Sequence, residues 1–510
     1  MRRATEIDLA LNARPEGMPL QRWLYGELRA AILAGRLGPG ARLPATRDLA
    51  ARHGVSRGTV LGVFAQLAAE GYLTGAVGRG SFVASELPDG RFESPAAPDA
   101  ARLARKRARS RIDSGDAHGA GIGLSERGRL LARSAFALEG RSFPARAFRP
   151  SHPDLAAFPF ALWARVAARR SRLSNRSILT DGEAQGYRPL REAIAEHVRV
   201  TRGIACTADH VAVVGSVQQV LDLSARLWLD PGDAAWMEDP GYQGAQRVLA
   251  AAGARIAAVP VDTNGIDVAA GRRLAPHARL AYVTAGRQAP LGPALSLERR
   301  LALLDWAHAS GALVIEDDYD SEYRFEGRPL AALKSLDEAG HVIYCGTFSK
   351  LLFPALRIAY AVLPERLVEP FVAALSLTSR HAPLDQQATL HAFIAEGHAG
   401  RHVRRMRELY GERAQALAEA ARRHWTGLLA LPPIVAGLDA PAFLPAGTDD
   451  ALAARLAAEA GVETRPLSAY AVGRAAPAGL VLGFACVGVD EIDAGARALA
   501  RVLQKMLYRT

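Results

Sequence analysis

Lysine is nearly missing from this chain: of its 63 basic residues, all but Lys106, Lys334, Lys350 and Lys505 are arginine. An arginine cannot be deprotonated at any usable pH, whereas a lysine amine can lose its proton and condense with an aldehyde. Amine chemistry is therefore confined to four positions. Cysteine is as scarce: Cys206, Cys345 and Cys486 stand far apart with no Cys-x-x-Cys pair, which excludes a disulfide framework and a zinc site, and no metal is expected. No apolar run reaches membrane-spanning length, and the opening MRRATEIDLALNARPEG has no signal-peptide core, so a cytoplasmic chain without a membrane partner is expected.

The 510 residues exceed what one core can hold, so two or more domains are expected. With 49% hydrophobic and 23% charged residues, the composition is that of an ordinary globular protein. The net charge of +11 points to an anionic partner. Residues 1–111 hold 18 Lys and Arg against 10 Asp and Glu, which puts most of that excess at the N-terminal end, away from Lys350.

Within residues 1–85, Leu20, Leu24, Leu28 and Ile32 recur at helical spacing, flanked by Trp23 and Tyr25. After the Gly38-Pro39-Gly40 turn, Thr46 is placed to cap a short helix over 47–53. Gly54 and Val55 then turn the chain, and Ser56 is placed to cap a second helix over 57–70. Two short helices around such a turn make a helix-turn-helix, whose second helix enters the major groove of DNA. Residues 71–74 and 79–83 read as two strands of a wing. The pattern LPATRDLA, GVSRGTV and LAAEGYLTGAVGRGSFVA resembles the winged helix-turn-helix of the GntR family over residues 18–84. That resemblance implies double-stranded DNA as partner, with Arg47, Ser56, Arg57 and Thr59 at positions that touch phosphates or base edges and Arg79 and Gly80 at the wing tip. Leu61 stands where many relatives carry Arg.

Periodicity fades over residues 86–145, where Pro, Gly, Asp and Ser gather, so a flexible connector is expected. It contains the basic run RLARKRARSR at 102–111, which is either a solvated charge run or an added phosphate contact. From 146 to 510, apolar runs at 210–214, 235–237, 280–283, 312–315 and 342–345 alternate with helical stretches at 218–229, 241–252 and 297–310. This predicts an α/β body with a doubly wound, mostly parallel sheet and a smaller C-terminal subdomain. Ligands of such sheets bind at the carboxyl ends of the strands, and every candidate below falls at one.

Lys350 itself follows the run 342–345 on a turn, with Thr347, Ser349 and Arg357 offering hydroxyls and a guanidinium fork to a phosphate. Gly215-Ser216-Val217-Gln218 opens a helix whose free amides suit a phosphate dianion. The Ser349-Lys350 pair resembles the motif of fold-type-I pyridoxal-phosphate proteins, in which the Lys is covalently joined to the cofactor. FPFALWARV, GYRPLREAIAEH, EDPGY, EDDYDSEYRF and GTFSKLLFPALR narrow the resemblance to the MocR subgroup of GntR regulators, a winged helix fused to an aminotransferase-like body. By that resemblance pyridoxal 5'-phosphate is the cofactor, held by Lys350, with Tyr242 stacked on its ring, Asp317 rather than Asp318 facing the ring nitrogen, and Tyr319 beside the ring oxygen. A homodimer is implied as well.

Three departures stand out. Arg287 replaces an expected His, Ser216 and Val217 alter the phosphate loop, and Val481 stands where an aminotransferase keeps an Arg for the substrate carboxylate, leaving Arg465 or Arg287 as substitutes. The leading expectation is a transcription regulator sensing a small amine, an amino acid or the cofactor. The alternatives are an active aminotransferase and a cofactor-free regulator that uses the body only to dimerise.

Overall fold

The helical stripe begun at Leu20 folds as the helix Leu20–Leu33 and buries Trp23, Leu24, Leu28 and Ile32, while Leu20 itself stays exposed. The computed structural model describes residues 11–76, 80–85, 87, 123–134, 144–173, 180–327, 330–473 and 476–507. It divides into two units, Met1–Ile122 and Gly123–Thr510.

In the first unit the helix Thr46–His53 ends at Gly54, whose φ of 62° is the left-handed conformation that glycine adopts without strain. Its N-cap is Ala45 with no side-chain cap, so Thr46 is the first helical residue and not the expected cap. The following helix, Arg57–Ala69, is capped by Ser56, which accepts from the Thr59 amide. Strands β1 (Leu73–Ala76) and β2 (Gly80–Val83) pair antiparallel as the wing, Leu73 opposite Val83. Leu49, Val60, Phe64 and Leu67 close the core against the first helix.

The second unit is built on an eight-stranded sheet. Its strands are β3 (Val211–Val214), β4 (Ala234–Asp239), β5 (Arg255–Asp262), β6 (Gly265–Ile266), β7 (Leu280–Val283), β8 (Leu313–Asp318), β9 (Val342–Thr347) and β10 (Ala359–Val362), in the spatial order β3-β10-β9-β8-β7-β4-β5-β6. Alternate residues of one strand serve opposite cores. Ile315 packs with Leu221, Leu249 and Phe371, while Val314 packs with Trp236, Leu303 and Trp306. Helices cover both faces, which is why these strands read as unbroken apolar runs. The sheet is mixed, because β10 runs antiparallel to both β3 and β9. The loop from β9 to β10 holds only a short 3-10 turn, Pro354–Leu356, and without a crossover helix two successive neighbours must reverse direction.

A smaller sheet, β11 (Asp439–Phe443), β13 (Gly479–Gly483) and β12 (Arg465–Pro466) in that order, forms the C-terminal subdomain with the helices His398–His424 and Val489–Leu507. The expected connector contains a helix, Glu126–Arg133, capped by Ser125 and grouped with the second unit. The basic run 102–111 lies outside the described residues.

Candidate functional site

The carboxyl ends of β3, β4, β8 and β9 bring the predicted residues of the body together. Asp317 is buried near the end of β8. Its Oδ2 accepts from the Tyr282 hydroxyl at 2.7 Å, and its Oδ1 is buried without a hydrogen-bond partner. Burial lifts its pKa to about 6, although the Tyr282 hydrogen bond and the Lys350 charge pull the other way. Asp318 meets a different fate. Arg202 Nε lies 2.6 Å and the Tyr344 hydroxyl 2.7 Å from its Oδ2, so it is spent on a buried ion pair.

Lys350, half-buried just beyond β9, donates from Nζ to the Ser151 carbonyl oxygen. Ser151 has φ 57° and donates its amide and hydroxyl to Asp439 Oδ2, each at 2.9 Å. Arg357 also sits in the left-handed region, at φ 53°. Two non-glycine residues in this conformation, one of them the residue whose carbonyl Lys350 binds, store backbone strain where a site needs fixed geometry. The Thr347 hydroxyl accepts from the Ser349 amide at 3.1 Å and so shapes the turn that carries Lys350.

At the start of the helix Val217–Trp228, Ser216 caps by accepting from the Gln219 amide, and Gln219 Oε1 accepts from the Gly215 amide at 2.9 Å. Val217 and Gln218 thus stand at the open helix terminus, where amides lack intrahelical partners. Both polar atoms of the Gln218 side chain are buried without partners. The Tyr242 ring lies 6.3 Å from that of Tyr282. Burial first and then Asp317 push the Tyr242 hydroxyl up to about 12, while Arg465 and Arg357 oppose. A Cβ on Gly244 would meet Tyr242 at 2.3 Å and Gln218 at 2.5 Å. Glycine at 244 is therefore required by the ring's position.

Residues 154–499 match the model of aminotransferase class I and II, and residues 20–83 that of bacterial regulatory proteins of the gntR family. The probable rhizopine catabolism regulatory protein MocR of Rhizobium meliloti is 39% identical over 487 residues, covering 95% of this chain and 94% of that protein. The chain belongs to the MocR subgroup of GntR regulators. A second MocR-type relative, the pyridoxine biosynthesis transcriptional regulator PdxR of Corynebacterium glutamicum, is 30% identical over 96% of both chains. Among solved structures, the α-aminoadipate aminotransferase LysN of Thermus thermophilus, complexed with N-(5'-phosphopyridoxyl)-L-leucine, is 28% identical with a TM-score of 0.66, covering 76% of this chain and 96% of that one.

Within this MocR-type body, Arg287 is no substitute for the absent carboxylate arginine. It is buried, and its Nη1 donates to the Tyr319 hydroxyl (2.7 Å) and Asp320 Oδ2 (3.0 Å), while Nη2 donates to the Asp439 carbonyl and lies 3.2 Å from Asp439 Oδ1. Its terminal donors are spent inside the protein. Val481 is buried in β13, and Arg465 stands directly opposite it in β12. Cross-strand partners share one face of a sheet, and the Arg465 charge acts on both Tyr242 and Tyr470.

The MocR-type DNA reader presents Arg47, Ser56 and Arg57 at the surface, with Thr59 half-buried. The Ser56 and Thr59 hydroxyls lie 2.9 Å apart and are engaged in the helix cap. Leu61 is exposed on the same helix. Arg79 lies outside the described residues; Gly80 begins β2 with φ 100°, and a Cβ there would stand 3.2 Å from Arg42 Nε.

Tyr282, Glu238, Ser151 and Asp439 escaped the sequence reading. Tyr282 carried a usable signal, a hydroxyl inside a buried apolar run that must find a partner. Glu238 accepts from the Thr284 amide and hydroxyl and from Gln288 Nε2, fastening two strand-end loops together.

Proposed function

We propose that this chain is a transcription regulator whose aminotransferase-like body holds pyridoxal 5'-phosphate at Lys350 and senses a small amine, an amino acid or the cofactor itself. The observation that carries the reading is the unpartnered, buried Oδ1 of Asp317. An orphaned carboxylate oxygen is costly unless a ligand completes it, and a ring N–H is the donor that fits. Asp317 would accept from that nitrogen and keep it protonated, Tyr242 would cover one ring face, and Tyr319 would donate to the ring oxygen. The amides of Val217 and Gln218, the hydroxyls of Thr347 and Ser349 and the Arg357 guanidinium are the groups suited to the phosphate. Pyridoxal phosphate supplies an aldehyde that condenses with an amine and a cationic ring that withdraws electrons. Lys350 would present its amine to the aldehyde, oriented by the Ser151 carbonyl. In two homodimeric copies, effector capture would shift how the paired DNA readers sit on a duplex.

The LysN complex, which contains a phosphopyridoxyl amino acid, supports this assignment of the cleft. Arg465 is the cation suited to an effector carboxylate, because Val481 leaves none on β13.

Mixing the purified protein with pyridoxal phosphate should produce a visible absorbance band that Lys350→Ala abolishes. A colourless wild-type protein would overturn the cofactor reading. Steady turnover of an amino donor with a 2-oxo acid in the same sample would make the chain an aminotransferase instead.

A further inference from the structure

The body carries a charged corner that neither the cofactor cleft nor the winged helix uses. On the helix Phe160–Leu173, Arg165, Arg169 and Arg172 are exposed at spacings of four and three. That spacing lines them along one face over about 10 Å. Ala168 and Ser171 are the exposed residues between them, so the guanidiniums stand outermost. The opening turns of the helix His398–His424 expose a second row, Arg401, Arg404 and Arg405.

Packing of Trp163 on Phe393, with ring centroids 5.3 Å apart, brings the rows to one place. They meet at Glu396. Arg169 pairs with one of its carboxylate oxygens, His398 Nε2 lies 3.1 Å from the other, and Arg401 donates to His398 Nδ1 at 2.6 Å and to the Glu396 carbonyl at 3.0 Å. Of these six guanidiniums, that of Arg169 alone is ion-paired with the Glu396 carboxylate. Among the described residues no carboxylate lies within ion-pair distance of Arg165, Arg172, Arg404 or Arg405.

Like charges gathered on one face repel unless a polyanion covers them. The chain itself delivers one, because its GntR unit binds DNA and tethering raises the local phosphate concentration at the body. Guanidinium forks match phosphate geometry bidentately. We propose that this arginine corner grips the phosphate backbone of duplex DNA, adding a sequence-independent contact on the aminotransferase-like body.

The test uses full-length protein and a random-sequence 60-bp duplex, with affinity followed across salt concentration. Each lost phosphate contact lowers the slope of log K against log salt by about 0.9. The quadruple variant Arg165→Gln, Arg172→Gln, Arg404→Gln, Arg405→Gln, which spares the Glu396 cluster, should lose about 3 to 4 from the slope and bind roughly tenfold or more weakly. Two double variants, one per helix, should each lose about half of that slope. A control removing four exposed arginines elsewhere on the body, Arg255, Arg272, Arg273 and Arg279, should keep the wild-type slope. An unchanged slope in the quadruple variant, or an equal loss in the control, overturns the proposal. So does arginine-dependent binding to phosphatidylserine vesicles with DNA affinity unchanged, which would assign the corner to a membrane surface.

Discussion

Asp317 and Asp318 are adjacent, yet strand alternation turns their side chains to opposite faces of the sheet. Asp318 meets Arg202 and Tyr344 on one side, and Asp317 meets Tyr282 on the other with one oxygen left over. The cost of that arrangement depends on pH. Burial raises the Asp317 pKa from the ordinary 3.8 to about 6, so the folded protein prefers the protonated acid more strongly than the unfolded chain does. That preference stabilises the fold fully below about pH 4 and is lost as pH rises through about 6. Each tenfold change in proton affinity is worth about 1.4 kcal/mol, so the loss is about 3 kcal/mol in the cofactor-free protein. Asp317→Asn cannot titrate. Urea unfolding at a series of pH values should therefore show wild type gaining about 3 kcal/mol on Asp317→Asn between about pH 7 and pH 4. Parallel pH profiles for the two proteins would refute the buried, unpartnered state of this carboxyl.

Arg287 acts on whole elements. Its guanidinium ties the loop after β7 to Tyr319 and Asp320 beyond β8 and to Asp439 at the start of β11, so the large sheet and the C-terminal subdomain share one buried cation. Burial already pushes Asp320 up to about 7 against the pull of Arg287. Arg287→Met should cost about 3–5 kcal/mol in urea unfolding, because it leaves two buried carboxylates without their cation. Adding Asp320→Asn should recover part of the loss. A cost under about 1 kcal/mol would mean that water replaces the guanidinium. The same region marks the reach of sequence reading. β3, β4, β7, β8 and β9 were legible because burial on both faces leaves an apolar run, and the helix Leu297–Ser310 fell where its periodicity put it. β10, Ala359–Val362, is as apolar and as fully buried as β3, so its signal was present in the sequence but lay hidden behind the lysine turn that precedes it. β5 was obscured by Pro260, which within a run argues against a strand. The lysine and carboxylate of the cleft were legible from residue type at strand ends. The Ser151–Asp439 and Arg287–Asp439 contacts join residues more than 150 positions apart, and no local pattern encodes them.

At the scale of the molecule, membership in the MocR subgroup places a DNA reader and an aminotransferase-like body on one chain, and the proposed sensing requires that they be thermodynamically coupled. Coupling is reciprocal. If pyridoxal phosphate changes the affinity for DNA by some factor, DNA must change the affinity for pyridoxal phosphate by the same factor in the same direction, whatever the path between the sites. Factors of about 5 to 150 are typical of such coupling. We expect a duplex taken from the region upstream of the chain's own coding sequence to bind with a dissociation constant that shifts on saturation with pyridoxal phosphate. A titration of the visible band with that duplex present should then show the matching shift. Lys350→Ala removes the covalent link, and with it the band, and should leave the duplex affinity indifferent to pyridoxal phosphate. Should pyridoxal phosphate bind equally well with and without the duplex, the body would be a passive holder of its cofactor, and regulation would have to pass through a ligand that discriminates between the free and DNA-bound forms, since one that binds both alike shifts nothing.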